Sequence, residues 1–153
     1  MSDLTRRYLF PVAIATILGG ALTRLPADAG EVERVAISGY DPVAYFTDGH
    51  PVKGSPEFSS PFDEAIYYFA SAEHQKMFAA DPDRYAPYYS GYCASSVAYG
   101  KKYEADPEAW TISDGKLFLF LDKRALREFT GDSARIISKA DANWPGLVQR
   151  KGK

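Results

Sequence analysis

Cysteine is almost missing from this chain: of 153 residues, Cys93 alone carries a thiol. An intramolecular disulfide and a four-cysteine zinc site are therefore excluded. Positive charge is not in excess either. Lys and Arg number 18 against 20 Asp and Glu, for a net charge of −2, which makes nucleic acid and anionic membrane surfaces poor partners. Gly-rich phosphate loops, nucleophile elbows and zinc-protease helices do not occur. No internal repeat, low-complexity tract or interdomain linker is evident. Long apolar runs are lacking too: the one candidate, Tyr8 to Leu22, spans about 15 residues, short of the ~20 that cross a bilayer. What is present is a globular composition, 46% hydrophobic, with an unusual 14% of aromatic residues, 11 of them tyrosine. That length and composition suit one compact domain with a real core.

The first 29 residues read as an address. Arg6-Arg7 precedes Tyr8-Leu9-Phe10, the apolar stretch follows, and Pro26-Ala27-Asp28-Ala29-Gly30 offers a small-x-small cleavage point. The paired arginines resemble a twin-arginine signal. The expectation is a cleaved signal over 1–29, a single domain over 30–153, a periplasmic or otherwise exported location, and no stable membrane anchor once the signal is removed. In an oxidising compartment a lone thiol stands out.

Beyond the signal the pattern is α+β. Val35-Ala36-Ile37 reads as a short strand. Each Asp-Pro pair (Asp41-Pro42, Asp81-Pro82, Asp106-Pro107) reads as the start of a helix or helical turn, since Asp caps and Pro fits the first turn. Residues 48–54 are turn-rich. Ile66-Tyr67-Tyr68-Phe69 predicts a strand, and Ser71 caps a helix over 72–80. Residues 85–103 read as an irregular packed loop. Trp110 to Leu121, with Asp114-Gly115 at its centre, predicts a hairpin. Its continuous apolar run, Leu117 to Leu121, predicts a strand covered on both faces. Two helices follow from Lys123, broken at Thr130-Gly131-Asp132, the second ending at Asn143-Trp144-Pro145-Gly146. The sum is a small single domain: a short antiparallel sheet, hairpin near 110–121, packed by helices.

The segment Tyr68-Phe69-Ala70-Ser71-x-x-His74-x-x-x-Phe78-x-x-x-Pro82-x-x-Tyr85 resembles the core of the YHS domain, which reads Tyr-Phe-Cys-Ser-x-x-Cys-x-x-x-Phe before a Pro and a Tyr. Ser38-Gly39-Tyr40-Asp41-Pro42-Val43-Ala44-Tyr45-Phe46, Gly91-Tyr92-Cys93-Ala94 and Lys139-Ala140-Asp141-x-Asn143-Trp144-Pro145 resemble an exported branch of that family, in which the position of Cys93 holds cysteine or selenocysteine. The resemblance covers roughly 37–147. It implies a YHS-like core and an association with heavy metals through cysteine ligands. This chain departs at those positions: Ala70 and His74 stand where the family has cysteines, and Gly39-Tyr40-Asp41-Pro42 replaces a leading cysteine pair.

Candidate site residues follow. A thiolate at Cys93 could ligate a soft metal or attack an oxidant or disulfide. With no second cysteine in the chain, a redox cycle would need an outside thiol or another protomer. Cys93 could equally be a small buried hydrophobe. His74 shares a helix face with Met77 and Phe78, so it points towards the core; it could replace a cysteine as ligand or favour a thiolate. Asp41 is most simply a helix cap and could add an oxygen ligand. Tyr40, Tyr45, Tyr88, Tyr89 and Tyr92 form an aromatic shell that could wall a pocket. His50 reads as solvated. Three functions stay open: a metal-binding module using Cys93 and His74 with Asp41, for Cu or Zn; a thiol redox protein with a small thiol or oxidant as partner; or a non-catalytic ligand- or partner-binding domain.

Overall fold

A computed structural model describes residues 34–148, so the predicted signal over 1–29 lies outside the described residues. The elements are α1 (Ala44–Thr47), β1 (Ser55–Phe62), β2 (Ala65–Phe69), α2 (Ala72–Ala80), α3 (Pro82–Tyr85), α4 (Ala94–Ala98), β3 (Asp106–Ser113), β4 (Lys116–Phe120), α5 (Lys123–Gly131) and α6 (Ser133–Val148). Strands β1 and β2 form one antiparallel ribbon, β3 and β4 another. The α+β class holds, with two two-stranded sheets in place of one.

Contrary to the sequence reading, the chain does contain an internal repeat. Strands β3 and β4 fall 51 residues after β1 and β2, with the same lengths, and α5 falls 51 residues after α2. Both ribbons slip register at the same place, between Ser55 and Ser59 and between Asp106 and Trp110. Both turn on an Asp with positive φ, Asp63 and Asp114. Ser71 caps α2 by accepting from His74 N, and Asp122 caps α5 by accepting from Ala125 N. Phe78 packs on Tyr67 and Phe69 at 5.3 and 5.1 Å between ring centres; Phe129 packs on Phe118 and Phe120 at 5.0 and 4.9 Å. Little sequence identity survives because each half keeps apolar type and caps, which is what packing demands, rather than particular residues.

Each half opens with a tight left-handed turn. Ile37, Ser38 and Gly39 have φ of 52, 51 and 80°, and Tyr89, Ser90 and Gly91 have 55, 52 and 80°. For an L-residue this conformation costs on the order of 1–2 kcal/mol, so something must hold it. In each half the next tyrosine closes the turn: Tyr40 N donates to Ile37 O and Tyr92 N donates to Tyr89 O, both at 3.0 Å. A cation then clamps each one. Lys53 Nζ donates to Ser38 O and lies over the Tyr40 ring. Arg34 donates to Ser90 O and lies over the Tyr92 ring at 3.8 Å. The residue matching Lys53 in the second half is Glu104, and it grips Arg34 at 2.6 and 2.9 Å.

Strand β4 ties the halves together. Leu117 and Leu119 belong to the first core with Ile37, Tyr45, Tyr67 and Phe78; Phe118 and Phe120 belong to the second with Val97, Phe129 and Ile136. All four are buried, which bears out a strand covered on both faces over 117–120; Leu121, also expected in it, lies beyond β4 and is exposed.

Several local expectations need correction. Val35 makes only an isolated bridge to Ile66, and the strand expected there is the left-handed turn Ala36–Gly39. Asp106-Pro107 begins β3, not a helix: Asp106 Oδ1 accepts from Glu108 N, and the proline sits in the bulge, where it needs no ladder donor. The loop expected over 85–103 contains the second left-handed turn and α4. Helix α6 does not stop at Asn143 but runs through Pro145 to Val148. So near the end the missing N–H forfeits one bond, while buried Leu147 continues the core face.

Candidate functional site

Asp41 and His74 come together. Asp41 is fully buried after the first left-handed turn. Its Oδ1 accepts from Val43 N at 2.8 Å and Ala44 N at 3.4 Å, the cap role expected of it. Its Oδ2 accepts from Ala70 N at 2.8 Å and sits 2.7 Å from His74 Nδ1. A carboxylate accepts only, so Nδ1 carries a proton. His74 Nε2 faces outward, 3.4 Å from Thr47 Oγ1, whose own proton has Val43 O at 3.2 Å. The imidazole thus bolts α2 to the first turn and leaves one ring nitrogen near the surface. His50 is exposed.

Cys93 does not join them. It occupies the position of Asp41 in the second half: Asp41 N donates to Val52 O at 2.8 Å, and Cys93 N donates to Tyr103 O at 2.9 Å. The residue matching His74 is Ala125. Cys93 is fully buried in the second core, and its Sγ accepts from Ser96 N at 3.4 Å, capping α4. Among the described residues no three His, Cys, Asp or Glu side chains converge to hold an ion. Cys93, His74 and Asp41, the ligand set expected from the sequence, therefore do not form one donor set.

The five tyrosines divide. Tyr45 is buried against Trp110 and its hydroxyl donates to Pro107 O. Tyr40 lies under Lys53, and both Arg34 and Lys102 lie over the Tyr92 ring. Tyr88 and Tyr89 line a cavity. That cavity is an open cleft of about 370 Å³ at the junction of the halves, walled by Phe62, Tyr88, Tyr89 and Trp144 and edged by Asp63, Asp83, Asp141 and Lys116. Such a volume suits a small molecule.

The second left-handed turn builds the cleft wall. It presents Tyr89 to α6, where its hydroxyl donates to Asp141 Oδ1 at 2.8 Å and its ring meets Trp144 at 5.5 Å. Burial, then the bond to the Asp141 carboxylate, push the Tyr89 hydroxyl far above its ordinary pKa, so it remains a neutral donor. Tyr88 stands edge-on to Tyr89 at 4.9 Å, and Lys116 Nζ lies 4.8 Å from the Tyr88 ring centre. Burial, followed by the neighbouring charges of Asp83 and Glu64, raises the Asp63 carboxyl.

Sequence reasoning named Tyr88 and Tyr89 but missed Phe62, Asp63, Asp83, Lys116, Asp141 and Trp144 as lining residues. They come from four segments spread over 62–144. The one available signal was the tripeptide Ser38-Gly39-Tyr40 repeated at Ser90-Gly91-Tyr92, which marks the turn that builds the wall.

No protein-family model matches the chain, and neither a curated protein nor a solved structure is significantly similar to it. The functional reading rests on the side chains themselves.

Proposed function

We propose that this chain is an exported, non-catalytic binding domain that takes a small ligand in the cleft between its two halves. One observation carries the reading: the accessible aromatic cavity lies at Tyr88, Tyr89 and Trp144, whereas Cys93 is sealed in the core. Export rests on the layout of 1–29. The test is a fragment screen followed by amide and indole NMR of the mature domain, repeated on Cys93→Ala. Binders that shift the Trp144 indole and the Tyr88–Ser90 amides, in both proteins, support the reading. Binders that cluster elsewhere, or are lost with the thiol, refute it.

A second reading retains a soft or borderline ion, Cu(I) or Zn(II), and one contact favours it. Asp41 on Nδ1 leaves Nε2 of His74 as the coordinating atom, the usual support for a metal-bound histidine. Its other ligands would come from a second copy of this chain, which zinc would bridge. Zinc titration of the domain, with His74→Ala alongside, decides it: a His74-dependent rise in melting temperature is required.

A further inference from the structure

We infer that the ligand of this cleft carries an organic ammonium group. The inference rests on the binding-domain reading above and adds the ligand's chemistry. Three features of the cleft agree on it. Its walls are ring faces and edges of Tyr88, Tyr89, Trp144 and Phe62, and aromatic faces attract cations through their quadrupoles. Its rim carries three carboxylates, Asp63, Asp83 and Asp141, against one ammonium.

The third feature is Lys116. Its Nζ lies over the Tyr88 ring at 4.8 Å, so the chain already rests an ammonium of its own on the cleft wall. Lys116 leaves the hairpin turn at Asp114-Gly115 and is exposed, with a long stem that can swing into solvent. It acts as a tethered occupant of weak hold. A ligand ammonium with more apolar surface displaces it and gains Trp144 and Tyr89 as well.

That role makes an unusual prediction about sign. If the ligand is cationic, removing Lys116 removes a competitor and tightens binding. If it is anionic, Lys116 is its counter-charge and removal abolishes binding. The probes are choline, its uncharged isostere 3,3-dimethylbutan-1-ol, and the anion trimethylacetate, each titrated against the mature domain while the Trp144 indole and the Tyr88–Ser90 amides are followed by NMR. Choline should bind about tenfold more tightly than the isostere. Lys116→Ala should strengthen choline binding several-fold. Asp141→Asn, which keeps an acceptor for the Tyr89 hydroxyl, should weaken it several-fold, with an unchanged melting temperature showing that the fold is intact.

Equal binding of choline and the isostere overturns the ammonium inference and leaves the cleft as a binding site. So does trimethylacetate binding that disappears in Lys116→Ala. Absence of choline binding, in a domain whose cleft takes other fragments, overturns the inference alone. A cleft that takes neither fragments nor any of the three probes overturns the binding-domain reading with it.

Discussion

Asp41 and Cys93 are the same position in two copies of one structural unit. Each follows a left-handed turn, each donates its backbone N–H across to a matching carbonyl, and each lends its side chain to the start of a short helix. Their partners differ. Asp41 meets His74, and the counterpart of His74 beside Cys93 is Ala125. A buried carboxylate needs donors, and the first half supplies four of them. A thiol needs almost none, and the second half supplies one.

Cys93 should therefore be chemically quiet. Its labelling by a disulfide reagent in the native protein should proceed only through opening of the core, far more slowly than a free thiol and faster as urea is added. Rapid native labelling would overturn this. Cys93→Asp, which imports the carboxylate without the imidazole, should destabilise by about 3 kcal/mol or more in urea melts.

Asp41→Asn should also be costly. All four groups that face Asp41 donate, and an amide would turn its own NH2 against some of them. A loss of about 2–4 kcal/mol is expected, measured by denaturant unfolding. His74→Ala should cost less, since three backbone donors still satisfy the carboxylate. The reverse order would show that the imidazole, not the backbone, anchors Asp41.

Tyr67→Phe should be neutral or stabilising, by up to about 1 kcal/mol. The Tyr67 hydroxyl is buried without a hydrogen-bond partner among the described residues. Its counterpart, Phe118, shows that the same packing accepts a ring with no hydroxyl. A clear destabilisation in urea would show that the hydroxyl has a partner after all.

Tyr45, Tyr67 and Tyr89 have their hydroxyls raised well above the ordinary value of 10.0, burial being the main cause in each. Their folded pKa exceeds their unfolded one, so the folded chain holds protons that the unfolded chain releases. Their contribution is intact below about pH 10 and is lost progressively as pH rises from there towards the folded pKa. Ultraviolet titration should show three tyrosines ionising late, together with alkaline unfolding. Ionisation of all the tyrosines in one early step, with the fold intact, would contradict this.

The parts of the fold that were legible in the sequence are those with local signals. Helix α2 shows its cap, Ser71, and its span as expected, and the Asp114-Gly115 hairpin announces itself by its turn. Strand β1 was hidden because Ser55-Pro56-Glu57-Phe58-Ser59-Ser60-Pro61 reads as turn chemistry; with a bulge and one partner strand it tolerates both prolines. The left-handed turns were hidden for the opposite reason. Ile37 and Tyr89 have no preference for positive φ, and the cations that bind the turns, Lys53 and Arg34, lie 15 and 56 residues from the carbonyls they hold. Of the site, the Asp41 cap and the tyrosine shell were legible, and the cleft was not, because no short motif carries it.

The shared strand has a consequence for how the protein comes apart. Leu117 and Leu119 serve one core while Phe118 and Phe120 serve the other, so neither copy can loosen without stripping a face of β4. The unit occurs twice in the chain, yet it cannot melt twice. Calorimetry should give a single peak with matching van't Hoff and calorimetric enthalpies, and the β4 amides should exchange with solvent only when the whole molecule opens.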